Sequence, residues 1–252
     1  MPPHGFVVLR FSSVRAMTQP ITIQENLQRI RECIAAAAQR AGRRTEEITL
    51  IGVSKTHPAE AILAAYDAGL RHFGENRVQE WEGKRGRLGE LAAAWHLIGH
   101  LQSNKAARAA KLFQCVDSVD NENLAEKLNR TRSESPGESK LRVLIEVHLG
   151  GEETKSGVAE AEVPALAEKI LGLEHLQFAG LMCIPPYLLN PDDVRPFFAR
   201  LRNLRDQLEA RLSRPFQVLS MGMSHDFEAA ILEGSTEVRI GAALFGIRSS
   251  RD

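Results

Sequence analysis

The sequence is poor in most of what would place it outside an ordinary reducing compartment. Its 252 residues hold three cysteines, Cys33, Cys115 and Cys183, widely spaced and without a CxxC pair. An odd, scattered set offers neither a disulfide framework nor a structural zinc site. Net charge is also lacking, because 32 Lys and Arg balance 32 Asp and Glu. Such a chain has no general field for nucleic acid or an anionic membrane. No apolar run approaches the roughly 20 residues that cross a bilayer. The short run Phe6 to Leu9 cannot form the core of a signal peptide. A cytoplasmic monomer is expected, with neither nucleic acid nor membrane as partner. Residues 1–17 mix Pro, Gly and Ser and read as a flexible extension, leaving 18–252 as the functional domain.

What is present is a rhythm. Thr22 to Ala41 reads as a helix, with Thr22 and Glu25 spaced as a capping box and Gly42 as the stop. Eight short apolar or β-branched runs follow: Thr49–Val53, Arg71–Phe73, Trp95–Ile98, Gln114–Val119, Arg142–Val147, Phe178–Met182, Gln217–Ser220 and Glu237–Ile240. Several are almost wholly apolar, as strands buried on both faces of a parallel sheet are. Between them lie amphipathic stretches at 59–68, 104–113, 121–132, 161–171, 194–212 and 225–233, the first preceded by Pro58 at a helix-start position. Thr131 to Lys140 reads as a polar loop. Eight such units in one chain of this length predict a single (β/α)8 TIM barrel with an extra N-terminal helix. An open doubly wound sheet is the alternative.

In a barrel, chemistry collects where the strands end. The first run ends in Ser54-Lys55-Thr56, and a desolvated lysine amine there can attack an aldehyde. A solvated rim lysine fits that position equally well. The second ends in Gly74-Glu75-Asn76, where Asn76 can serve the mouth or cap the next helix. The third gives His96 and His100; four residues apart on a strand they are roughly 13 Å apart and cannot share an ion, so no metal is assigned. His100 is left to line the mouth. Gly150 to Gly157 has a superficial likeness to a phosphate loop but lacks the Gly directly before Lys155, so Lys155 stands only as the runner-up amine. The seventh run leads into Ser220-Met221-Gly222-Met223-Ser224 and the eighth into Arg239-Ile240-Gly241-Ala242. Glycines there let backbone N–H groups approach an anion, and Ser224 can cap a helix starting near His225. A lysine beside a phosphate cradle fits pyridoxal phosphate or a phosphorylated aldol substrate.

These segments also carry a resemblance. Val53-Ser54-Lys55-Thr56, Phe73 to Glu80, Trp95 to Gln102, Lys155-Ser156-Gly157, Gly180-Leu181-Met182, Leu219 to Ser224 and Val238 to Gly241, in order over about residues 22–248, resemble the pyridoxal phosphate homeostasis protein family. The resemblance implies a barrel like the N-terminal domain of alanine racemase. It implies Lys55 as the Schiff-base lysine, phosphate contacts from Ser220–Ser224 and from Gly241-Ala242, and Arg239 near the pyridine nitrogen. It also implies a role in buffering or delivering the cofactor, with cofactor-dependent apo-enzymes as recipients and no established turnover. Two positions depart from the family pattern. Arg77 stands where Tyr is common, and Ala242 where Thr or Ser is frequent, which leaves only a backbone N–H at the latter.

The rival readings are an amino-acid racemase and a Schiff-base aldolase. Each needs an acid/base partner for Lys55. The sole tyrosines, Tyr66 in a helical stretch and Tyr187 in the loop after the sixth run, are not placed by the sequence to serve. A purely protein-binding barrel leaves Lys55 and both glycine turns without a use.

Overall fold

The computed structural model describes residues 22–135, 139–150 and 156–246. The leading segment 1–17 and Lys155 lie outside them. Helix α1 (Ile23–Arg40) opens the described chain. The Thr22 hydroxyl accepts the Glu25 N–H at 3.2 Å and the Glu25 carboxylate accepts the Thr22 N–H at 2.8 Å, the reciprocal cap that the spacing predicts. Its inner face buries Leu27, Ile30 and Ile34. Each such side chain contributes about 1.5–3 kcal/mol by leaving water.

The strands are β1 (Thr49–Val53), β2 (His72–Glu75), β3 (Ala94–Leu97), β4 (Cys115–Val119), β5 (Leu141–His148), the two-residue β6 (Val158–Ala159), β7 (Leu176–Met182), β8 (Val218–Met223) and β9 (Glu237–Ile240). The helices after α1 are α2 (Ala59–Asp67), α3 (Val78–Leu88), α4 (Ala106–Leu112), α5 (Glu122–Ser133), α6 (Val163–Leu171), α7 (Arg195–Leu212), α8 (Phe227–Leu232) and α9 (Ala242–Phe245). All strand pairs are parallel. The sheet closes because β5 pairs with β4 as well as β7, and β1 pairs with both β2 and β9. This is a (β/α)8 barrel of eight strands, with β6 a small addition on the end of β5. The last two helices have six and four residues, too few to cover the strands beneath. α1 packs on α8, α9 and α2 and fills that gap, and its Asn26 amide donates to the Leu244 carbonyl at 3.1 Å.

The local differences from the sequence reading have physical causes. Pro58 is the N-cap of α2 rather than its first residue. α3 has only Val78, Trp81 and Leu88 buried in eleven residues, a stripe too thin to show by periodicity. α5 runs on to Ser133, three residues into the stretch read as a loop. β8 continues to Met223, so Met221, Gly222 and Met223 belong to the strand rather than to the turn after it.

Alternation along β1 aims the mouth. A Cβ on Gly52 would lie 2.5 Å from Leu70 Cδ2 in the helical layer, so Gly52 faces outward. Ile51 and Val53 therefore face the barrel axis, and a two-residue period carries that face on to Lys55. Ser54 falls on the outward face, where its hydroxyl donates to Glu75 Oε1 at 2.6 Å.

Candidate functional site

Lys55 stands half-buried in the turn directly after β1. Its strand lies between β2 and β9, with Ile51 paired to Arg239 and Gly52 to Ile240. The turn after β9 is therefore its neighbour: a Cβ on Gly241 would sit 3.4 Å from the Val53 carbonyl oxygen. In that turn the Gly241 and Ala243 N–H groups both donate to Ser224 Oγ, at 3.2 and 3.4 Å. Ser224 thus ties the turn after β8 to the turn after β9. It does not cap α8, which starts at Phe227 and has Asp226 before it. Two backbone donors converging on one neutral oxygen make a place suited to an anion. Gly222 keeps the β8 backbone close to α8: it sits at φ +95°, and a Cβ would lie 2.6 Å from Ala230 Cβ and 2.9 Å from Phe227 Cα.

The other expected residues fall at different depths. Asn76 is half-buried just beyond β2, and its carbonyl oxygen lies 2.5 Å from where a Gly99 Cβ would be, so only glycine lets those turns meet. Asn76 does not cap α3, whose N-cap is Arg77. His100 is exposed on the rim, paired with Asp120 at 3.2 Å. Asn76, Arg77, Gly99, His100, Gln102 and Lys105 enclose a rim cavity of about 420 Å³. Ser220 and Met221 are fully buried. The Met221 carbonyl is taken by Ser235 Oγ at 2.7 Å, so Met221 supports the turn from below. The Met223 N–H donates to Asp226 Oδ1 at 2.6 Å. Burial raises the Asp226 carboxyl above its usual range, against that hydrogen bond and the Arg239 charge.

Arg239 lies inside the barrel, 3% exposed. Its Nη1 donates to the Ser220 carbonyl at 2.7 Å and hydroxyl at 2.8 Å, and its Nη2 to the Cys183 carbonyl at 2.8 Å. The guanidinium is held flat and fully charged. Burial pushes the Cys183 thiol up to about 12, so it stays a neutral thiol beside that cation. Glu146 on β5 is 3% exposed, accepts a hydrogen bond from Ser156 Oγ at 2.9 Å and leaves Oε2 without a partner. Burial raises its carboxyl above the usual range, while Arg239 and His100 pull the other way.

Deeper still, the barrel interior carries a second polar cluster. His96 Nδ1 lies 2.9 Å from Asp117 Oδ2, and His96 Nε2 lies 3.1 Å from His72 Nδ1. Arg142 reaches Glu237 at 2.6 Å and Asp117 at 3.7 Å. Burial alone would lower the His96 imidazolium, but the Asp117 carboxylate outweighs it and carries the group up to about 10. A charged His96 donates from both nitrogens, so His72 accepts and stays neutral. Burial, then the His96 charge, lowers His72 to about 4. The ligand atoms of His96, Asp117 and Glu237 lie within 4.8 Å of one another. Arg142 already supplies a cation to both carboxylates there.

None of these buried charges was singled out from the sequence as functional. A signal existed: Glu75, Asp117, Arg142, Glu146 and Glu237 all interrupt strands that are otherwise buried on both faces.

A closed parallel barrel with an amine after its first strand and convergent N–H donors after its last, gathered on a hydroxyl from the turn before, defines a holder for an anionic, carbonyl-bearing ligand. The donor set fits pyridoxal phosphate. Lys55 and the Ser224–Ala243 turns lie on adjacent strands, and the fixed guanidinium of Arg239 lies below them. Residues 25–249 match the family described as alanine racemase, N-terminal domain. The Clostridium difficile alanine racemase shares the fold, with a TM-score of 0.66 at 17% identity, over 92% of this chain and 58% of that one. The pyridoxal phosphate homeostasis protein of Aquifex aeolicus is 47% identical over 224 residues, 89% of this chain and 97% of that protein. PipY of Synechococcus elongatus, solved with PLP bound, is 37% identical with a TM-score of 0.79, over 89% of this chain and all of that one. The chain belongs to the pyridoxal phosphate homeostasis protein family.

Proposed function

We propose that this protein holds pyridoxal 5'-phosphate as a Schiff base on Lys55 and buffers or delivers it, rather than turning over an amino acid. The observation that carries the reading is the adjacency of Lys55 to the turn where the Gly241 and Ala243 N–H groups converge on Ser224. That relatives are named for homeostasis of this cofactor, and that PipY is solved with it, supports the choice of ligand. Ser224, Gly241 and Ala242 would meet the phosphate, with Ser220, Met221, Gly222 and Met223 shaping the strand end behind it. Arg239 would face the ring nitrogen, and Asn76 and His100 would flank the ring side of the mouth. Bound there, the cofactor supplies an aldehyde that condenses with amines and a ring that withdraws electrons.

The carrier reading is favoured over a racemase or aldolase by the tyrosines. Tyr66 sits on α2 under the Arg71 guanidinium, 4.1 Å from its ring centre, and Tyr187 is 71% exposed beside His225. The partners of such a carrier are cofactor-dependent apo-enzymes in the cytoplasm, met by a monomer whose mouth is open. Among the described residues no helix is long and apolar enough to cross a membrane. Borohydride reduction of the cofactor-loaded protein, followed by peptide mapping, should mark Lys55. A label found mainly on Lys155 would overturn the assignment. Amino-acid turnover at about 1 s⁻¹ or above, lost in Lys55→Ala, would overturn the carrier reading.

A further inference from the structure

The turn that carries Lys55 is held from both sides by one helix. Lys84 on α3, only 13% exposed at its side chain, donates to the Ser54 carbonyl at 2.9 Å, to Glu75 Oε1 at 3.0 Å and to Glu80 Oε1 at 2.8 Å. All three ammonium donors are thereby used. Ser54 is gripped a second time through its hydroxyl, which donates to Glu75. On the other flank, the Thr56 N–H donates to the same Glu80 oxygen that Lys84 reaches. Thr56 stands at φ +64°, a left-handed conformation that a β-branched residue adopts only when its surroundings enforce it. Lys55 thus projects from a three-residue turn whose first and last members are both fixed by α3 and Glu75. The grip places one ammonium and two carboxylates around the backbone of the reactive lysine.

We propose that Lys84 and Glu80 are positioning residues that clamp the two flanks of Lys55, and that their opposed charges tune the proton affinity of its amine. The proposal rests on the reading of Lys55 as the ligand-bearing residue, but its test does not need the ligand. A general surface role for Lys84 does not account for the geometry. Exposed i,i+4 pairs contribute little by themselves, whereas Lys84–Glu80 is mostly buried and reaches the backbone on either side of one residue. Other charged groups on the elements packed against β1 are already engaged. Arg239 on β9 is bound to Ser220 and Cys183, Glu60 on α2 to Arg87, and His57 in the turn itself stacks on Phe245. His100, beyond β3, is paired with Asp120. Among the described residues, Glu75, Glu80 and Lys84 are charges bonded directly to the turn.

The test reads Lys55 in the intact, cofactor-free protein. Competitive acetylation with acetic anhydride across pH, scored by mass spectrometry, yields the titration midpoint of each lysine. Lys84→Met removes a positive charge and should raise the Lys55 midpoint by about 0.5 pH unit. Glu80→Gln keeps an acceptor for the Thr56 N–H but removes a negative charge, and should lower it by a similar amount. Lys84→Arg restores the charge and should return the midpoint toward that of the unaltered protein. Loss of packing alone cannot move the two variants in opposite directions. Unchanged midpoints, or movement the same way in both, would overturn the proposal. If Lys84→Met does not fold, Glu80→Gln decides alone: absence of a downward shift defeats the clamp. Failure to retain cofactor on Lys55 would instead defeat the functional reading and leave this measurement standing.

Discussion

The two ends of the barrel interior use similar residue types in opposite ways. At the floor, His72, His96, Asp117, Arg142 and Glu237 pair with one another, leaving Asp117 Oδ1, Arg142 Nε and Glu237 Oε2 without a hydrogen bond among the described residues, and all but His72 and Arg142 are buried. At the mouth, Lys55, Asn76, His100 and Ser224 are half-buried or exposed, and the donors of Gly241 and Ala243 meet only a hydroxyl. A charge buried with partners is fixed in place, and its removal strands whatever it was paired with. A donor at a wet rim can exchange a neighbour for a ligand at small cost. The floor is thus a rigid base and the mouth a surface with bonds to offer. Arg239 stands between them, one strand position pair above Glu237 and bound to Ser220. The comparison predicts that floor changes are read in stability and mouth changes in ligand affinity.

The sharpest break is Asp117→Ala. It takes from the fully buried His96 the carboxylate that keeps it protonated, and from Arg142 one of its two acids. Removing one member of such a buried pair costs about 3–5 kcal/mol. Urea unfolding should show that loss, while the protein that remains folded binds the cofactor with nearly unchanged affinity. Unaltered stability, or a selective loss of binding, would erase the distinction between the two ends.

A smaller effect follows from the neutral state of His72. Its pKa of about 4 is depressed below the ordinary 6.5. The unfolded chain therefore binds a proton there between those values while the folded chain does not. Stability contributed by the neutral form is present above about pH 6.5 and is lost as pH falls toward 4. The carboxyls of Glu75 and Glu237, raised by burial, act in the opposite sense as pH falls. The comparison must be with His72→Gln, which keeps an acceptor for His96 and cannot gain the charge. Between pH 7 and pH 4.5 the unaltered protein should lose about 1–2 kcal/mol more than the variant, the partial exposure of His72 being allowed for. Equal losses would remove His72 from the account.

How much of this was legible in the sequence follows the same division. The barrel announced itself because eight runs alternate with helices, and seven of the strands lie within two residues of the runs at each end; β8 overran its run by three residues because Met221-Gly222-Met223 looks like a turn. The mouth was legible because barrels place chemistry at strand ends, and Lys55, Asn76, His100 and Gly241 all stand there. The depth of each residue was not. Met221 and Ser220 turned out fully buried; a run of serine, methionine and glycine does not say which way a strand end faces. The floor was missed because His96 was weighed only against His100, four residues along the same strand. Its true partners, Asp117 and His72, come from the two neighbouring strands. Cross-strand pairing is set by register, and register is not readable from one run alone. α3 was missed for lack of an apolar stripe, and with it the clamp of Lys84 and Glu80 on the Lys55 turn.

The mildest change sharpens the comparison from the other side. Ser224 joins the turns after β8 and β9 through one oxygen, which accepts from the Gly241 and Ala243 N–H groups at the long distances of 3.2 and 3.4 Å. Bonds of that length are weak ones. The serine is half-buried, so water can replace the hydroxyl in its absence. Ser224→Ala should therefore leave the urea midpoint almost unmoved. A phosphate at the same place would accept from those N–H groups and from the serine hydroxyl as well. Deleting the hydroxyl removes one charge-assisted bond, about 1.5 kcal/mol, or roughly tenfold in affinity. Pyridoxal lacking the phosphate has no such bond to lose, and the variant should bind it as tightly as the unaltered protein does. Titration of both compounds against both proteins gives four affinities and one coupling. A tenfold loss confined to the phosphorylated form assigns the turn to the phosphate. An equal loss for both forms would mean that Ser224 only shapes the mouth, and the anion would have to be sought elsewhere on the rim.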